Sequence, residues 1–264
     1  MKQTIEINLP SDIALSALVR NLADAVFHAA HFSEAWCSRL KLVVDELFMN
    51  AVRYGSTPLT SVVKIRFVFG EEGVEFLIDD DGTGHGAMPP EALQALIAKN
   101  GTHQEVTQTS GRGLALITHL WTDELKVAKS VLGGLTVSFA KKLETALPPS
   151  LPPLSLAPSS VASALPVQAH GPTVTIHLQG SIDPNTIEDV STQVEKQIET
   201  LPQEANLVLD FSEVTYINST FIGQLAAWYN VVSKKRGVLQ IQKANPLVKD
   251  VLNLVGLTQI IIVQ

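Results

Sequence analysis

Four short stretches carry residue types that can do chemistry. The first is Glu46-Leu-Phe-Met-Asn50. On a helix, residues four apart share a face, so this carboxylate and carboxamide stand side by side. Such a pair can take a proton from a hydroxyl or water and can hold an octahedral Mg²⁺. The same spacing also occurs on ordinary solvated helix faces. The second stretch, Asp80-Asp81-Gly82-Thr83-Gly84, comes at the end of the strand pattern VEFLI, one residue beyond it. An acid at a strand end followed by two glycines lets backbone approach a ligand while the carboxylate accepts an amine donor; acid-glycine turns without a ligand are also common. The third, Gly111-Arg112-Gly113-Leu114, opens the apolar segment LALITHLW. Glycines before a helix start expose N–H groups and the positive dipole end to phosphate, or simply lead into the helix. In the fourth, DFSEVTYINSTFIGQL at 210–225, Ser219 and Thr220 fall where a strand gives way to a helix. A phosphate there would meet free N–H groups, and an unmodified hydroxyl there would cap the helix.

The elements that must position these residues follow from periodicity. Ile5 and Ile7 alternate in an opening strand, and Ala14, Leu18, Leu22, Ala25 and Val26 give a helix from Ser11 to about His31. A second helix runs from Ser33 to a stop at Gly55 and carries Glu46 and Asn50. Val63, Ile65, Phe67 and Phe69, then Val74, Phe76 and Ile78, alternate on either side of a Glu-Glu-Gly turn and form a hairpin. A helix after Gly113 and strands at Leu125/Val127 and Leu135/Val137/Phe139 complete an α/β sandwich, a mixed sheet with helices on one face. Beyond residue 170, strand and helix patterns alternate (strands near 174–178, 206–211, 238–242 and 260–263), which fits a small parallel-rich sheet flanked by helices. Gly180 is expected to end the first of those strands.

Residues 146–170, ALPPSLPPLSLAPSSVASALPVQAH, fit neither period. Proline, serine and alanine dominate and charge is absent, so the segment reads as a linker. The expected division is 1–145, linker 146–170, and 171–264. A length of 264 residues suits two domains. A hydrophobic content of 45% against 17% charged residues excludes a disordered chain. A net charge of -7 without a basic stripe argues against nucleic acid. No apolar run suits a signal peptide or a membrane span, so a cytoplasmic address is expected. The one cysteine, Cys37, is read as helix packing. His28 and His31, three apart, are read as boundary residues, and no other His/Cys cluster has ligand spacing.

In order and on the right elements, the first three stretches resemble the asparagine box and two glycine boxes of the GHKL ATPase superfamily over residues 1–143. The anti-sigma-factor serine/threonine kinases, in which an opening strand and helix lead into the asparagine box, are the most similar group. The resemblance implies ATP and Mg²⁺ as cofactors, Glu46 as catalytic base, Asn50 as Mg²⁺ ligand and Asp80 as the acid that reads adenine. It implies Gly82, Gly84, Gly111 and Gly113 as cradle positions and Thr136, in GGLTV, as a nucleotide contact. The family often has histidine where Tyr54 stands, and the region between Gly84 and Gly111 corresponds to the ATP lid. A histidine kinase proper would carry a long helical hairpin before the asparagine box, for which only about 45 residues are present.

Residues 171–264 resemble a STAS domain of the anti-anti-sigma class through GSIDPNTIEDV, DFSEVTYINST and NPLVKDVLNLVGLTQII. In that family an Asp-Ser-Ser/Thr-Gly motif carries the phosphorylated serine, which corresponds to Ser219, with Thr220 beside it. Asn218 replaces the acid and Phe221 the glycine, and the bulky ring is expected to narrow access to Ser219. The combination implies a bacterial partner-switching regulator that acts on a sigma factor or related target, answers to a separate STAS protein, and forms a homodimer. A linker of about 25 residues spans roughly 25–30 Å, long enough for Ser219 to visit its own kinase pocket. The alternative is an ATP/ADP-sensing scaffold in which the STAS domain is a docking module that is never phosphorylated.

Overall fold

The computed structural model describes residues 1–100, 121–144 and 172–264. The chain divides into two compact units, Met1–Pro149 and Ser150–Gln264.

In the first unit, β1 (Gln3–Pro10) leads through a 3₁₀ turn, capped by Asp12 accepting from the Ala14 N–H at 2.9 Å, into α1 (Ser16–Ala29). Helix α2 (Glu34–Asn50) starts at Ser33, whose hydroxyl accepts from the Trp36 N–H, with Glu34 placed favourably against the dipole. Then come β2 (Val62–Gly70), β3 (Gly73–Asp79), α3 (Pro90–Asn100), β4 (Glu124–Lys129) and β5 (Leu135–Lys142). The sheet order is β1-β2-β3-β5-β4, and every pairing is antiparallel where a mixed sheet was expected. The reason is topological: α1 and α2 form a hairpin that returns the chain to the end of the sheet it left, so β2 must run against β1.

One sheet face packs on the helices. Phe67, Phe76 and Phe139 are register partners on adjacent strands, with ring centroids 5.0 and 5.5 Å apart, and Phe27 of α1 meets Phe67 edge-on. Each such pair adds about 0.5–1.5 kcal/mol beyond area burial. A buried polar knot ties the two helices together. Arg20 of α1 reaches Asp45 of α2 at 3.0 Å, and Ser16 donates to the same carboxylate oxygen. This knot fixes the rotation of α2 and hence the face on which Glu46 and Asn50 emerge.

The second unit runs β6 (Thr173–Ile182), α4 (Ile187–Thr200), β7 (Asn206–Ile217), α5 (Ser219–Lys234), β8 (Leu239–Gln242), α6 (Pro246–Leu254) and β9 (Ile262–Val263). Its sheet, ordered β6-β7-β8-β9, is parallel throughout, as helical crossovers require. Strand β6 does not end at Gly180. That residue takes a φ of 73° at a register shift, and pairing resumes through Ile182. Among the described residues, no helix is long and apolar enough to cross a membrane.

Candidate functional site

The site is assembled where α2 ends. Instead of stopping cleanly at Gly55, the helix widens into a π turn over Ala51–Gly55, a device found mostly at functional positions. The turn sets Tyr54 and Gly55 against the end of β3. There the three consecutive acids have separate fates. Asp79 accepts from the Ser130 hydroxyl at 2.9 Å and from Thr136. Asp81 is taken up by Thr83, whose hydroxyl donates to it at 2.8 Å. Asp80 alone lines a cavity.

Asp80 is buried, and its Oδ1 accepts from the backbone N–H groups of Gly82 and Leu135, both at 3.0 Å. Two glycines make room for it. A Cβ on Gly55 would lie 2.3 Å from the carboxylate, and one on Gly134 would lie 1.9 Å from Oδ1. Gly134→Ala is therefore expected to displace the carboxylate and lower adenine-nucleotide affinity at least tenfold while leaving the two halves folded, as calorimetry and circular dichroism would report. Thr83, between the two glycines of the motif, bonds Thr57 and Ser61 and so staples the glycine turn to the loop after α2.

Burial raises the pKa of Asp80 above the ordinary aspartate value, partly countered by the two backbone N–H groups. The ionised form is the one that accepts an amine. Nucleotide affinity is thus expected to fall on acidification from a higher pH than an ordinary aspartate would dictate, and to lose that dependence in Asp80→Asn. The sign for stability follows the same shift. The folded state holds the Asp80 proton more tightly than the unfolded chain, so this group's contribution is full below the unfolded pKa and is lost as pH rises through the raised one.

The cavity measures about 230 Å³ and is lined by Asn50, Tyr54, Asp80, Gly82 and the apolar side chains Leu135 and Val137, among others. Apolar walls with one buried carboxylate suit a flat heterocycle bearing an amine. Helix α3 closes one side with Leu93, Leu96 and Ile97 and is pinned to the edge strand β4 by Gln94 donating to the Val127 carbonyl at 3.1 Å. These three were not singled out from the sequence, although their i, i+3, i+4 spacing was a usable signal.

The remaining predicted positions fall as follows. Glu46 lies one turn before Asn50 on α2, is 8% exposed, and does not line the cavity. Gly84 packs against the π turn, where a Cβ would meet the Tyr54 carbonyl oxygen at 2.3 Å. Thr136 is held by Asp79 and is not part of the cavity wall. Gly111 and Gly113 lie outside the described residues.

In the second unit, the α5 cap is neither Ser219 nor Thr220. It is Asn218, buried, whose Oδ1 accepts from the Phe221 N–H at 2.9 Å. Ser219, the first helical residue and half-buried, makes no side-chain hydrogen bond to another described residue, and its hydroxyl sits at the positive end of the helix. The expected crowding by Phe221 does not occur. Its ring is fully buried, 6.1 Å from Phe211 and 5.6 Å from Trp228, and faces the core.

A family described as the histidine kinase-like ATPase domain matches residues 9–141, and one described as Mlab, STAS domain, matches residues 165–264. The chain belongs to the histidine kinase-like ATPase family, and its second half is a STAS domain. Among solved structures, it is similar to that of the anti-sigma factor antagonist SpoIIAA in its unphosphorylated form, at 18% identity and a TM-score of 0.31, over 35% of this chain and 80% of that one.

Proposed function

We propose that the first half is an ATP- and Mg²⁺-dependent serine/threonine kinase of the anti-sigma type, joined through residues 146–170 to a STAS phosphoacceptor, in a cytoplasmic partner-switching regulator. The observation that carries this reading is the convergence of Asn50, Asp80 and Gly82, from a helix, a strand end and a glycine turn, on one cavity. Bound ATP and Mg²⁺ would supply the phosphoryl group and neutralise its charge. Asp80 accepts the adenine amine, and Asn50 offers its carbonyl oxygen to the metal. Glu46 takes the proton of the acceptor hydroxyl as the new P–O bond forms and ADP departs. Ser219 suits the acceptor role because the cap is supplied by its neighbour, and the dianion it would gain lies at a helix N-terminus.

The added charge would break the contact between a phosphorylated STAS domain and the kinase, freeing the kinase for a sigma factor or another regulatory target. A separate STAS protein is a second candidate acceptor, and the kinase is expected to act as a homodimer.

A specific observation favours a second reading, a nucleotide-sensing scaffold: Glu46 is buried away from the cavity wall. Radiolabelled ATP with the wild type, Glu46→Ala and Ser219→Ala separates the two. The kinase reading expects label on the wild type or on an added STAS protein, lost in Glu46→Ala. Nucleotide binding without any label would establish the scaffold.

A further inference from the structure

A second cluster lies where α1 ends and α2 begins. Asp24 and His28 stand four apart on α1, Cys37 sits in the first turn of α2, and one ligand atom from each lies within 4.8 Å of the others. Cys37 is fully buried, its thiol donating to the Phe32 carbonyl at 3.5 Å, whereas the His28 and Asp24 side chains are 42% and 35% exposed. Glu34 brings an Oε1 to 2.9 Å from His28 Nε2. A carboxylate beside Nε2 is the usual partner of a metal-binding imidazole; Nδ1 itself lies 2.8 Å from the Asp24 backbone carbonyl, a contact that a metal bond at Nδ1 must replace. Asp24 Oδ1 is shielded from solvent, and among the described residues no hydrogen bond satisfies it. The Lys41 ammonium, 2.8 Å away, approaches it as a charge without hydrogen-bond alignment.

We propose that Asp24 Oδ1, His28 Nδ1 and Cys37 Sγ bind a zinc(II) ion, with Glu34 as the positioning residue of His28. A set of one sulfur, one nitrogen and one oxygen selects zinc over the hard cations Mg²⁺ and Ca²⁺. Binding is an exchange: the thiol proton, and any proton on Nδ1, pass to solvent as the metal bonds form, and a water fills the fourth position. Tetrahedral bonds of about 2.0–2.3 Å place ligand atoms about 3.3–3.8 Å apart, so closure needs rotamer shifts of about an ångström. Lys41, a long and partly exposed side chain, must swing off Asp24. From Cys37 to Asn50 along α2 is about 20 Å, so the metal would not touch the nucleotide cavity. Its effect would be to pin α1 to the helix that carries Glu46 and Asn50.

The test uses the untagged full chain, with zinc and with cobalt(II) as a spectroscopic probe. The proposal expects one zinc per chain, a thermal midpoint that rises with added zinc, and a thiolate-to-cobalt charge-transfer band that Cys37→Ser abolishes. Because Cys37 is buried, His28→Gln at the exposed position is the second variant, and it is expected to weaken zinc at least tenfold. Lys41→Met, which removes the competing cation, is expected to tighten it. Absence of stoichiometric zinc, a cobalt spectrum unchanged in Cys37→Ser, or wild-type affinity in His28→Gln would overturn the site. Nucleotide titrations of the same samples are independent of that outcome.

Discussion

Asp80→Asn is expected to lower the affinity of the chain for adenine nucleotides by about 10- to 150-fold, the worth of one hydrogen bond to a buried charge. The substitution keeps size and shape, so the effect is chemical. Oδ1 already accepts two backbone N–H groups, from Gly82 and Leu135. An amide must therefore either turn its NH₂ toward those two donors or keep its oxygen there and present NH₂ to the ligand amine. Both orientations set donor against donor. Calorimetric titration with ATP and ADP checks the number, and a thermal melt confirms that the fold survives. Equal affinity in the variant would show that the buried carboxylate does not read the base.

Glu46→Gln is expected to slow phosphoryl transfer by about 10²- to 10⁴-fold, the usual span for a positioned general base, while nucleotide affinity changes by no more than a few fold. The split follows from position. Asn50 and Asp80 line the cavity and Glu46 does not, so losing its charge should leave ground-state binding intact. Single-turnover labelling of an acceptor serine measures the rate. A variant that transfers phosphate as fast as the wild type would remove Glu46 from the chemistry and leave the base to another group.

The path from sequence to site was clearest where local chemistry is decisive. The resemblance carried by the acid-glycine stretch points to Asp80, and in the structure its neighbours Asp79 and Asp81 are engaged by Ser130, Thr136 and Thr83. Alternation found the phenylalanine ladder of the first sheet. What could not be read depended on contacts across the fold. Gly55 and Gly134 matter because each faces the Asp80 carboxylate, and neither belongs to the acid-glycine motif itself. Reading the second helix through to Gly55 hid the π turn. The capping role of Asn218 was not legible because the hydroxyls of Ser219 and Thr220 beside it are equally good caps by type. The inward turn of Phe221 needed knowledge of Phe211 and Trp228. The approach of Cys37 to His28 was not legible either, since it depends on how α2 returns beside α1, while His31, three residues on, has left the helix at φ 65°.

The most direct measurement is isothermal titration of the full chain with ATP in the presence of Mg²⁺, alongside Asp80→Asn and Gly134→Ala. The account predicts one saturable site per chain in the wild type, weakened at least tenfold in both variants. No heat of binding at millimolar ATP, or three indistinguishable isotherms, would contradict it.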